Sequence, residues 1–263
     1  MSAKGRGAEG YVPDPTGFFQ TQPQVVHALL PHLAIKSGMR ILEPSCGNGA
    51  IARVLRSVYG RSIAIVGVEI DKKRANKARA AKVAWVDTSH TEAEYEEQLQ
   101  VFDDVIHGDF FDQVPNGLGA PYDIIATNPS FAIWLKFAEH CFRFGPTTTL
   151  LLPFNSMASK KRAGWWREHP AHMRVLSKRP SFAISVKCVY SNARMAHEAG
   201  VTPCTYQELI PLDRKPKKEC PVCGERTVTT SSDASEYCWA TWAPEVVRGI
   251  WDVIDTPESE TPE

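Results

Sequence analysis

The sequence predicts an α/β protein with a mostly parallel sheet that is covered by helices on both faces. Short apolar runs rich in β-branched residues alternate along the chain with segments whose apolar positions follow helical spacing. Strands that alternate with helices in this way form parallel sheets with right-handed connections. With 263 residues, 43% of them hydrophobic and 10% aromatic, the chain can bury a core of its own.

The first half of the chain predicts two βα units behind an N-terminal helix. Thr21 is placed to cap that helix, and Pro31 should kink or end it. Residues 63–70 are rich in β-branched residues, which is typical of a strand that is buried on both faces. The elements expected here are, in order, a helix from residue 22, a strand at 39–44, a tight turn at 45–49, a helix at 51–59, a strand at 63–70 and a helix at 71–82.

The second half continues the alternation as far as Pro170. Residues 87–99 are acidic and polar and predict a helical excursion from the sheet. Further strands are expected at 173–177 and 237–242, on either side of a long polar stretch. The elements between these points are, in order, a strand at 104–107, a loop at 115–121, a strand at 122–127, a helix at 131–144 and a strand at 147–152.

The polar stretch at residues 183–236 is expected to be an inserted module. Thirty basic and thirty acidic side chains cancel over the whole chain, so bulk charge does not hold it to nucleic acid. Between residues 155 and 226, however, there are fourteen Lys and Arg and only six Asp and Glu. A charge run of this kind is either a solvated face or a surface for an acidic partner. The polar tails at 1–15 and 255–263 are expected to be flexible.

Composition and hydropathy argue against a membrane, a secreted or a disulfide-stapled protein. The longest uncharged stretch, residues 144–159, is interrupted by glycine and prolines, so we expect no membrane span. The first thirty residues contain no apolar segment behind basic residues, and we expect no secretory signal. Seven cysteines in a chain of this length do not make a disulfide framework. Reduced thiols and a cytoplasmic location are therefore expected.

Acidic residues follow three of the predicted strands at their carboxyl ends, where the ligands of parallel sheets bind. Glu43 ends the first strand, and the glycine-containing turn after it lacks the Lys of a phosphate loop. Glu69 ends the second strand and is placed to accept hydrogen bonds from both hydroxyls of a ribose. Asp109 follows the third and could accept from an exocyclic amine, with Phe110 against a base. Each acid alone is most often a helix cap, but together they fit an adenosine with a positive appendage.

Three segments carry a resemblance to a known family. The turn after the first strand reads Glu43-Pro44-Ser45-Cys46-Gly47-Asn48-Gly49 and resembles the first motif of class I S-adenosylmethionine-dependent methyltransferases. The later turn Thr127-Asn128-Pro129-Ser130-Phe131 is similar to the Asn-Pro-Pro-Tyr/Phe catalytic motif of amino methyltransferases. Upstream, Phe18-Phe19-Gln20-Thr21-Gln22-Pro23 is similar to the Phe-x-Thr-Pro segment of the γ class of DNA adenine-N6 methyltransferases. The order of the motifs also agrees with that class.

The resemblance spans roughly residues 17–182 and implies both a fold and a cofactor. The implied fold is a Rossmann-like, seven-stranded methyltransferase sheet with helices on both faces, formed by residues 16–182 and 237–254. The insertion at 183–236 would be a small basic, cysteine-containing module for target recognition. The residues that the resemblance implies for binding S-adenosylmethionine are Phe19, Thr21, Glu43, Pro44, Cys46, Gly47, Gly49, Glu69, Asp109, Phe110 and Asn128.

The chain departs from the family pattern at two positions. Ser130 stands where the family usually has the second proline of the catalytic motif, which bears on the rigidity of that turn. Gln22 replaces the first proline of the upstream segment, which closes over the methionine end of the cofactor in the family.

The chemistry of the catalytic motif follows from the nucleophile. The exocyclic amine of adenine is a poor nucleophile because its lone pair is delocalised into the ring. The side-chain oxygen of Asn128 and the carbonyl of Pro129 can accept the two amine protons and orient the nitrogen for in-line attack. Because the amine is inaccessible in a duplex, the base must be flipped, and Phe131 can then stack on it. Phe182 resembles the family's aromatic on the other face of the base, with an ordinary core position as the alternative.

The predicted function is transfer of a methyl group to the N6 amine of adenine in DNA. Two alternatives stay open. Asn-Pro-Pro-Tyr/Phe motifs also serve adenine or guanine amines of RNA and glutamine amides of proteins. Ser130 suggests the second alternative, a catalytically silent nucleic-acid-binding module of the same fold.

The sequence Cys220-Pro221-Val222-Cys223-Gly224 has the form of a metal knuckle, whose two thiolates can reach one tetrahedral ion. Cys204 is the best third ligand for a structural zinc. The alternatives are a redox pair and two free cysteines. The candidate fourth ligands are His197, Cys188 and Cys238.

Two further pairs of residues remain to be interpreted. Cys46 and Cys141 are interpreted as packing residues. Trp165 and Trp166 lie among basic residues and could stack on nucleic acid, but neighbouring tryptophans on a helix more often mean that one belongs to the core.

Overall fold

The computed structural model describes residues 20–87, 95–157, 159–180, 183–211, 217–231, 236–246 and 248–257. The chain divides into two compact units. The larger unit comprises Thr21–Pro180 and Ser235–Glu263, and the smaller unit takes most of its described residues from Ser181–Ala234.

Strands and helices alternate through most of the larger unit. The strands are β1 Arg40–Pro44, β2 Ala64–Glu69, β3 Lys82–Asp87, β4 Tyr95–Gln100, β5 Asp104–His107, β6 Ile124–Thr127, β7 Thr147–Pro153, β8 His172–Leu176, β9 Ala183–Cys188, β10 Gln207–Pro211, β11 Thr227–Ser231, β12 Tyr237–Trp242 and β13 Ile250–Ile254. The helices are α1 Pro23–Leu29, α2 Ala50–Tyr59, α3 Lys72–Ala80, α4 Trp134–Cys141, α5 Lys160–Glu168 and α6 Ala193–Glu198. Of these elements, β9, β10, β11 and α6 belong to the smaller unit.

An eight-stranded sheet in the order β13-β8-β12-β7-β6-β1-β2-β5 forms the centre of the larger unit. Its neighbouring strands are parallel except at β12, which runs antiparallel to both β7 and β8. The predicted parallel α/β sheet is confirmed, with one strand more than the seven expected. The extra strand, β13, pairs with β8 at the edge of the sheet and leaves Trp251 71% exposed. The sequence did not predict this strand, because it is short and most of its residues are exposed.

The order of the strands reverses between β1 and β6. From β1 the chain adds β2 and β5 on one side, and it then returns to add β6 and β7 on the other. Such a reversal opens a crevice beyond the carboxyl ends of the two central strands, where ligands of open parallel sheets bind. The turns that follow β1 and β6 are therefore neighbours at this edge.

The helix predicted at residues 87–99 is wrong for the part that the structure describes. Tyr95–Gln100 is β4, which pairs antiparallel with β3 in a separate two-stranded sheet. Leu99 is buried in this hairpin, and Arg61 forms an ion pair with Glu97. Pairing with a neighbouring strand thus overrides a local composition that is poor in strand-forming residues. Residues 88–94 lie outside the described part.

The N-terminal helix is shorter than predicted and is capped differently. It ends at Leu29, and a 3₁₀ turn at Leu30–His32 follows, so the expected effect of Pro31 is confirmed. Gln22, not Thr21, is the N-cap residue, and its side chain makes no capping hydrogen bond. The Thr21 hydroxyl is used elsewhere, as described below.

The smaller unit contains a three-stranded antiparallel sheet in the order β10-β9-β11, with α6 in the connection between β9 and β10. Its described buried residues include few apolar side chains, among them Val186, Val189 and Ala196. Across the described residues of both units, no helix is long and apolar enough to cross a membrane.

Candidate functional site

The turn after β1 has an unusual backbone. Ser45, Gly47 and Gly49 all have positive φ angles, of 58°, 56° and 81°. Glycine adopts this region without steric cost, whereas a serine there is strained and marks a constrained, often functional, turn. A Cβ atom at Gly49 would lie 2.6 Å from the ring of Phe102, so the turn passes closer to this ring than any side chain allows.

Glu43, at the end of β1, points into the protein. It is 2% exposed, and its carboxylate accepts a hydrogen bond of 2.9 Å from the backbone N–H of Ala52, in the first turn of α2. Burial raises the pKa of the Glu43 carboxyl well above its ordinary value, while hydrogen bonds from the first turn of α2 act in the opposite direction. The nearby charge of Glu69 also raises this pKa. Glu43 therefore anchors α2 behind the turn.

Glu69, at the end of β2, is 3% exposed and joins three segments. It accepts hydrogen bonds from the N–H of Gly47 at 2.8 Å, the N–H of Asp71 at 2.9 Å and the guanidinium of Arg74 at 3.1 Å. A carboxylate offers about four acceptor sites. These three bonds hold the turn at 45–49 against the end of β2, and the ribose contact predicted for Glu69 would share the carboxylate with them.

The turn after β6 is attached to both the first turn and the N-terminal segment. The hydroxyl of Thr127 donates a hydrogen bond to the carbonyl of Pro44, which ties the ends of β6 and β1 together. The side-chain nitrogen of Asn128 donates to the hydroxyl of Thr21 at 3.1 Å. With its nitrogen engaged in this way, the amide has a defined orientation and turns its oxygen to the other side. Thr21 is buried, and the sequence pattern gave no indication of this contact.

The aromatic residue of the same turn has an aromatic neighbour. The half-buried ring of Phe131 lies 5.7 Å from that of Tyr237, at an angle of 48°. Tyr237 opens β12, and because this strand is antiparallel to β7, its first residue lies opposite Pro153 at the carboxyl edge of the sheet. Sequence reasoning missed Tyr237 because only the strand direction brings it here. Phe19 and Phe182, the other predicted aromatics, lie outside the described residues.

Asp109 and Phe110 serve the structure of their own segment. Asp109 caps the 3₁₀ turn Phe110–Asp112 by accepting from the N–H of Phe111 at 2.9 Å. Phe110 is 4% exposed, and its ring packs between Phe137 and Phe144. The base contact predicted for Phe110 therefore has no exposed ring face, because a core phenylalanine is covered by its neighbours. Phe111, at 38% exposure, is the accessible aromatic of this segment.

The residues around the first turn fit a ligand with hydrogen-bond donors. Within the described residues, the side-chain oxygen of Asn48 is a buried acceptor without a hydrogen-bond partner. This oxygen is therefore available to a hydrogen-bond donor of a bound molecule. Gly47 and Gly49, both buried, form the positive-φ backbone of this turn, and the Glu69 carboxylate lies against it through the N–H of Gly47. A cationic ligand that carries an amino group and hydroxyls suits this donor and acceptor set.

Trp165 and Trp166 pack within the larger unit. Trp166 stacks on Trp134 and on Trp242, and Trp165 stacks on His169. The indole nitrogen of Trp165 donates to Glu139 at 2.8 Å. These contacts favour the core interpretation of both residues.

Four cysteines of the smaller unit come together. The sulfur atoms of Cys188, Cys204, Cys220 and Cys223 all lie within 4.8 Å of one another. Of the three candidates for a fourth ligand, only Cys188 belongs to this group among the described residues. Cys238 is buried in β12, where its thiol contacts the carbonyl of Leu152. Cys46 and Cys141 are buried, as expected for packing residues.

A family model matches the segment that contains both turns. The model of protein-L-isoaspartate(D-aspartate) O-methyltransferase (PCMT) matches residues 14–130, which include the 45–49 turn and Glu69 and end within the Asn128 turn. In the structure this segment contributes β1, β2, β5 and β6 to the central sheet, and the reversal of strand order between β1 and β6 lies within it. The chain has the class I S-adenosylmethionine-dependent methyltransferase fold. The match spans less than half of the chain and stops before α4.

Solved structures resemble this methyltransferase fold at low identity. A protein of Pyrococcus horikoshii that is provisionally named an RNA methyltransferase is 11% identical, with 89% of this chain and 92% of that chain covered and a TM-score of 0.48. A SAM-dependent O-methyltransferase of Thermotoga maritima is 15% identical, with 86% and 67% covered and a TM-score of 0.46. TrmN of Thermus thermophilus is 16% identical, with 85% and 49% covered and a TM-score of 0.45. A search of the curated proteins finds no match.

Proposed function

We propose that this chain transfers the methyl group of S-adenosylmethionine to the N6 amine of a flipped adenine in DNA. The observation that supports it best is the position of Asn128. This residue follows β6 at the reversal of strand order, beside the turn after β1, and its amide is oriented by Thr21. An amide acceptor next to a methyltransferase cofactor crevice is what an amine nucleophile requires.

The residues of this chain would act by orienting the amine nucleophile toward the methyl group. S-adenosylmethionine held in the crevice would supply a sulfonium methyl group to the amine nitrogen. Sulfur would keep the electron pair of the broken carbon–sulfur bond, and the amine proton would pass to water. The oxygen of Asn128 and the carbonyl of Pro129 accept the amine protons and hold the nitrogen for this approach. Phe131, whose ring tilts against Tyr237, offers a face on which the base stacks.

DNA is the proposed substrate for two reasons. The motif order and the segment around Thr21 are similar to those of the γ class of DNA adenine-N6 methyltransferases. The excess of Lys and Arg between residues 155 and 226 provides the positive charge that contacts to phosphates need, in a chain that is otherwise acidic.

The test is expression of the full chain in a bacterial host that lacks DNA methylation, followed by sequencing that detects modified adenine. We expect N6-methyladenine at a defined recognition sequence. Asn128→Ala should abolish the modification while it retains binding of S-adenosylmethionine, and Asn116→Ala, which changes an exposed asparagine of a distant turn, should leave it unchanged. Normal modification by Asn128→Ala would overturn the assignment of this residue.

A second candidate is methylation of protein carboxyl groups, which the PCMT family match favours. Methyl esters release volatile methanol in mild base, whereas methylated amines are stable there. Purified chain would be offered duplex DNA, structured RNA and protein together with tritiated methyl donor. Base-stable label on DNA supports the proposal; base-labile label on protein, or label on RNA alone, refutes it. DNA binding without any labelled product would indicate a silent binding module.

A further inference from the structure

The four cysteines of the smaller unit come from three separate segments. Cys188 ends β9, Cys204 lies shortly before β10, and Cys220 and Cys223 belong to the turn that precedes β11. The sulfur atoms of Cys188 and Cys223 are 3.4 Å apart, and those of Cys204 and Cys220 are 3.6 Å apart. The cluster therefore holds together the ends of a sheet whose strands are far apart in sequence.

These separations match one metal ion better than other uses of cysteine. A zinc ion with sulfur ligands at about 2.3 Å has tetrahedral edges of about 3.8 Å between sulfur atoms. A disulfide would bring two sulfur atoms to about 2.05 Å, and the four cysteines are present as free thiols. A four-iron cluster would hold its ligands further apart, around the cluster itself.

The backbone around the cluster repeats one feature at three of the four cysteines. The N–H of Tyr190 donates to the sulfur of Cys188 at 3.4 Å, and the N–H of Val222 donates to that of Cys220 at 3.4 Å. The N–H of Tyr206 donates to Cys204 in the same way. In each case the donor lies two residues after the cysteine. Hydrogen bonds of this kind stabilise thiolates and orient them as ligands.

The turn between Cys220 and Cys223 is built to bring both thiols to one side. Gly224 has a φ of +78°, and its N–H donates to the carbonyl of Cys220 at 2.9 Å. The N–H of Cys220 donates in turn to the carbonyl of Glu225. This closed turn presents the thiols of Cys220 and Cys223 as a pair of ligands.

Charge and composition agree with a structural role. Four thiolates around a divalent ion carry a net charge of −2. Within three residues of a ligand, basic side chains outnumber the two acidic ones, Glu219 and Glu225; the basic residues are Lys187, Lys217, Lys218 and Arg226. The described apolar core beside the cluster is small, consisting of Val189 with the partly buried Tyr190 and Tyr206. Small modules of this kind commonly depend on a metal for their fold.

We propose that Cys188, Cys204, Cys220 and Cys223 bind one zinc ion in a closed tetrahedral site. Four protein ligands leave no open position for water or substrate, so the ion organises the smaller unit and takes no part in chemistry. Binding releases the thiol protons that remain at neutral pH. This inference is independent of the proposed methyl transfer.

The test measures metal content in the full chain purified without added chelator. We expect about one zinc per chain by elemental analysis and its release by a mercurial reagent that blocks thiols. Exchange for cobalt should give the intense visible bands of a tetrahedral thiolate site together with sulfur-to-metal charge transfer. Cys188→Ser should lose zinc at least about tenfold more readily to a competing chelator.

The matched control is Cys141→Ser, which changes a fully buried cysteine of α4 in the larger unit and should retain the full zinc content. All seven tryptophans belong to the larger unit, so their fluorescence reports whether that unit remains folded in each variant. Iron with its red absorption, zinc-free protein whose thiols form disulfides, or a Cys188→Ser variant that holds zinc as tightly as the parent would each overturn the proposal.

Discussion

Replacement of Gly49 by alanine tests whether the turn after β1 is shaped by close packing as well as by backbone conformation. The φ of Gly49 is +81°, and the added Cβ would meet one ring atom of Phe102 at 2.6 Å and another at 3.3 Å. Phe102 is buried, so its ring has little room to move away. Gly38 provides a matched control, because its φ is +86° but nothing lies within 4 Å of the Cβ position.

The expected magnitudes follow from these two environments. A left-handed conformation costs an alanine roughly 1–2 kcal/mol, which both variants incur. Overpacking of a filled site costs about 1–3 kcal/mol more, which only Gly49→Ala incurs. Gly49→Ala should therefore lose about 2–5 kcal/mol of the free energy of unfolding, and Gly38→Ala about 1–2 kcal/mol.

The assay is urea unfolding followed by tryptophan fluorescence, which reports on the larger unit alone. With a slope of about 2 kcal/mol per molar urea, the midpoint should fall by about 1–2.5 M for Gly49→Ala and by about 0.5–1 M for Gly38→Ala. Phe102→Leu, combined with Gly49→Ala, should recover part of the loss, since it shortens the ring that the Cβ meets. Equal losses for the two glycine variants would refute the role of close packing at Gly49.

Three further predictions concern buried polar groups around the site. Relative to the parent, Glu43→Gln should become more stable as the pH rises. A carboxyl whose pKa is raised in the folded state contributes stability at pH values below its ordinary pKa of 4.5. The parent loses this contribution as the pH rises through the pKa of the folded state, whereas glutamine does not titrate. Thr21→Val should lower kcat for methyl transfer by about tenfold, the value of one hydrogen bond of about 1.4 kcal/mol, because Asn128 loses its orienting partner. Arg56→Met should cost about 3–5 kcal/mol of the free energy of unfolding, because Arg56 is buried and donates to three backbone carbonyls and to Asp103.

Each of these predictions has its own check. For Glu43→Gln, the difference in urea midpoint from the parent is followed from about pH 5 to about pH 8, and a difference that shrinks with rising pH contradicts the buried-carboxyl argument. For Thr21, the serine variant keeps the hydroxyl and should keep kcat. If valine and serine behave alike, or if only the KM for the cofactor changes, the hydroxyl does not position Asn128. For Arg56→Met, a loss of unfolding free energy below about 1 kcal/mol would mean that water satisfies the carbonyls to which the guanidinium donates.

The βα units and the outline of the site could be predicted from the sequence because their signals are local. A short strand, an acidic residue near its end and a glycine-containing turn follow one another directly at residues 39–49. The glycines at 47 and 49 answer a requirement of that turn's own backbone, which has positive φ angles there. The metal knuckle at Cys220 and Cys223 is equally local. Cys204 was predicted as the third ligand, and Cys188 was one of three candidates for the fourth, a choice that only the structure made.

Contacts between distant residues were decided only by the tertiary structure. The hydrogen bond between Thr21 and Asn128 joins residues 107 positions apart, and the contact between Cys188 and Cys223 joins residues 35 apart. A single sequence carries no sign of which distant partners will meet, since the same side chain suits a cap, a core or a ligand until strand pairing places it. Strand pairing likewise turned a predicted helix into β4, added β13 at the sheet edge and placed Tyr237 beside Phe131.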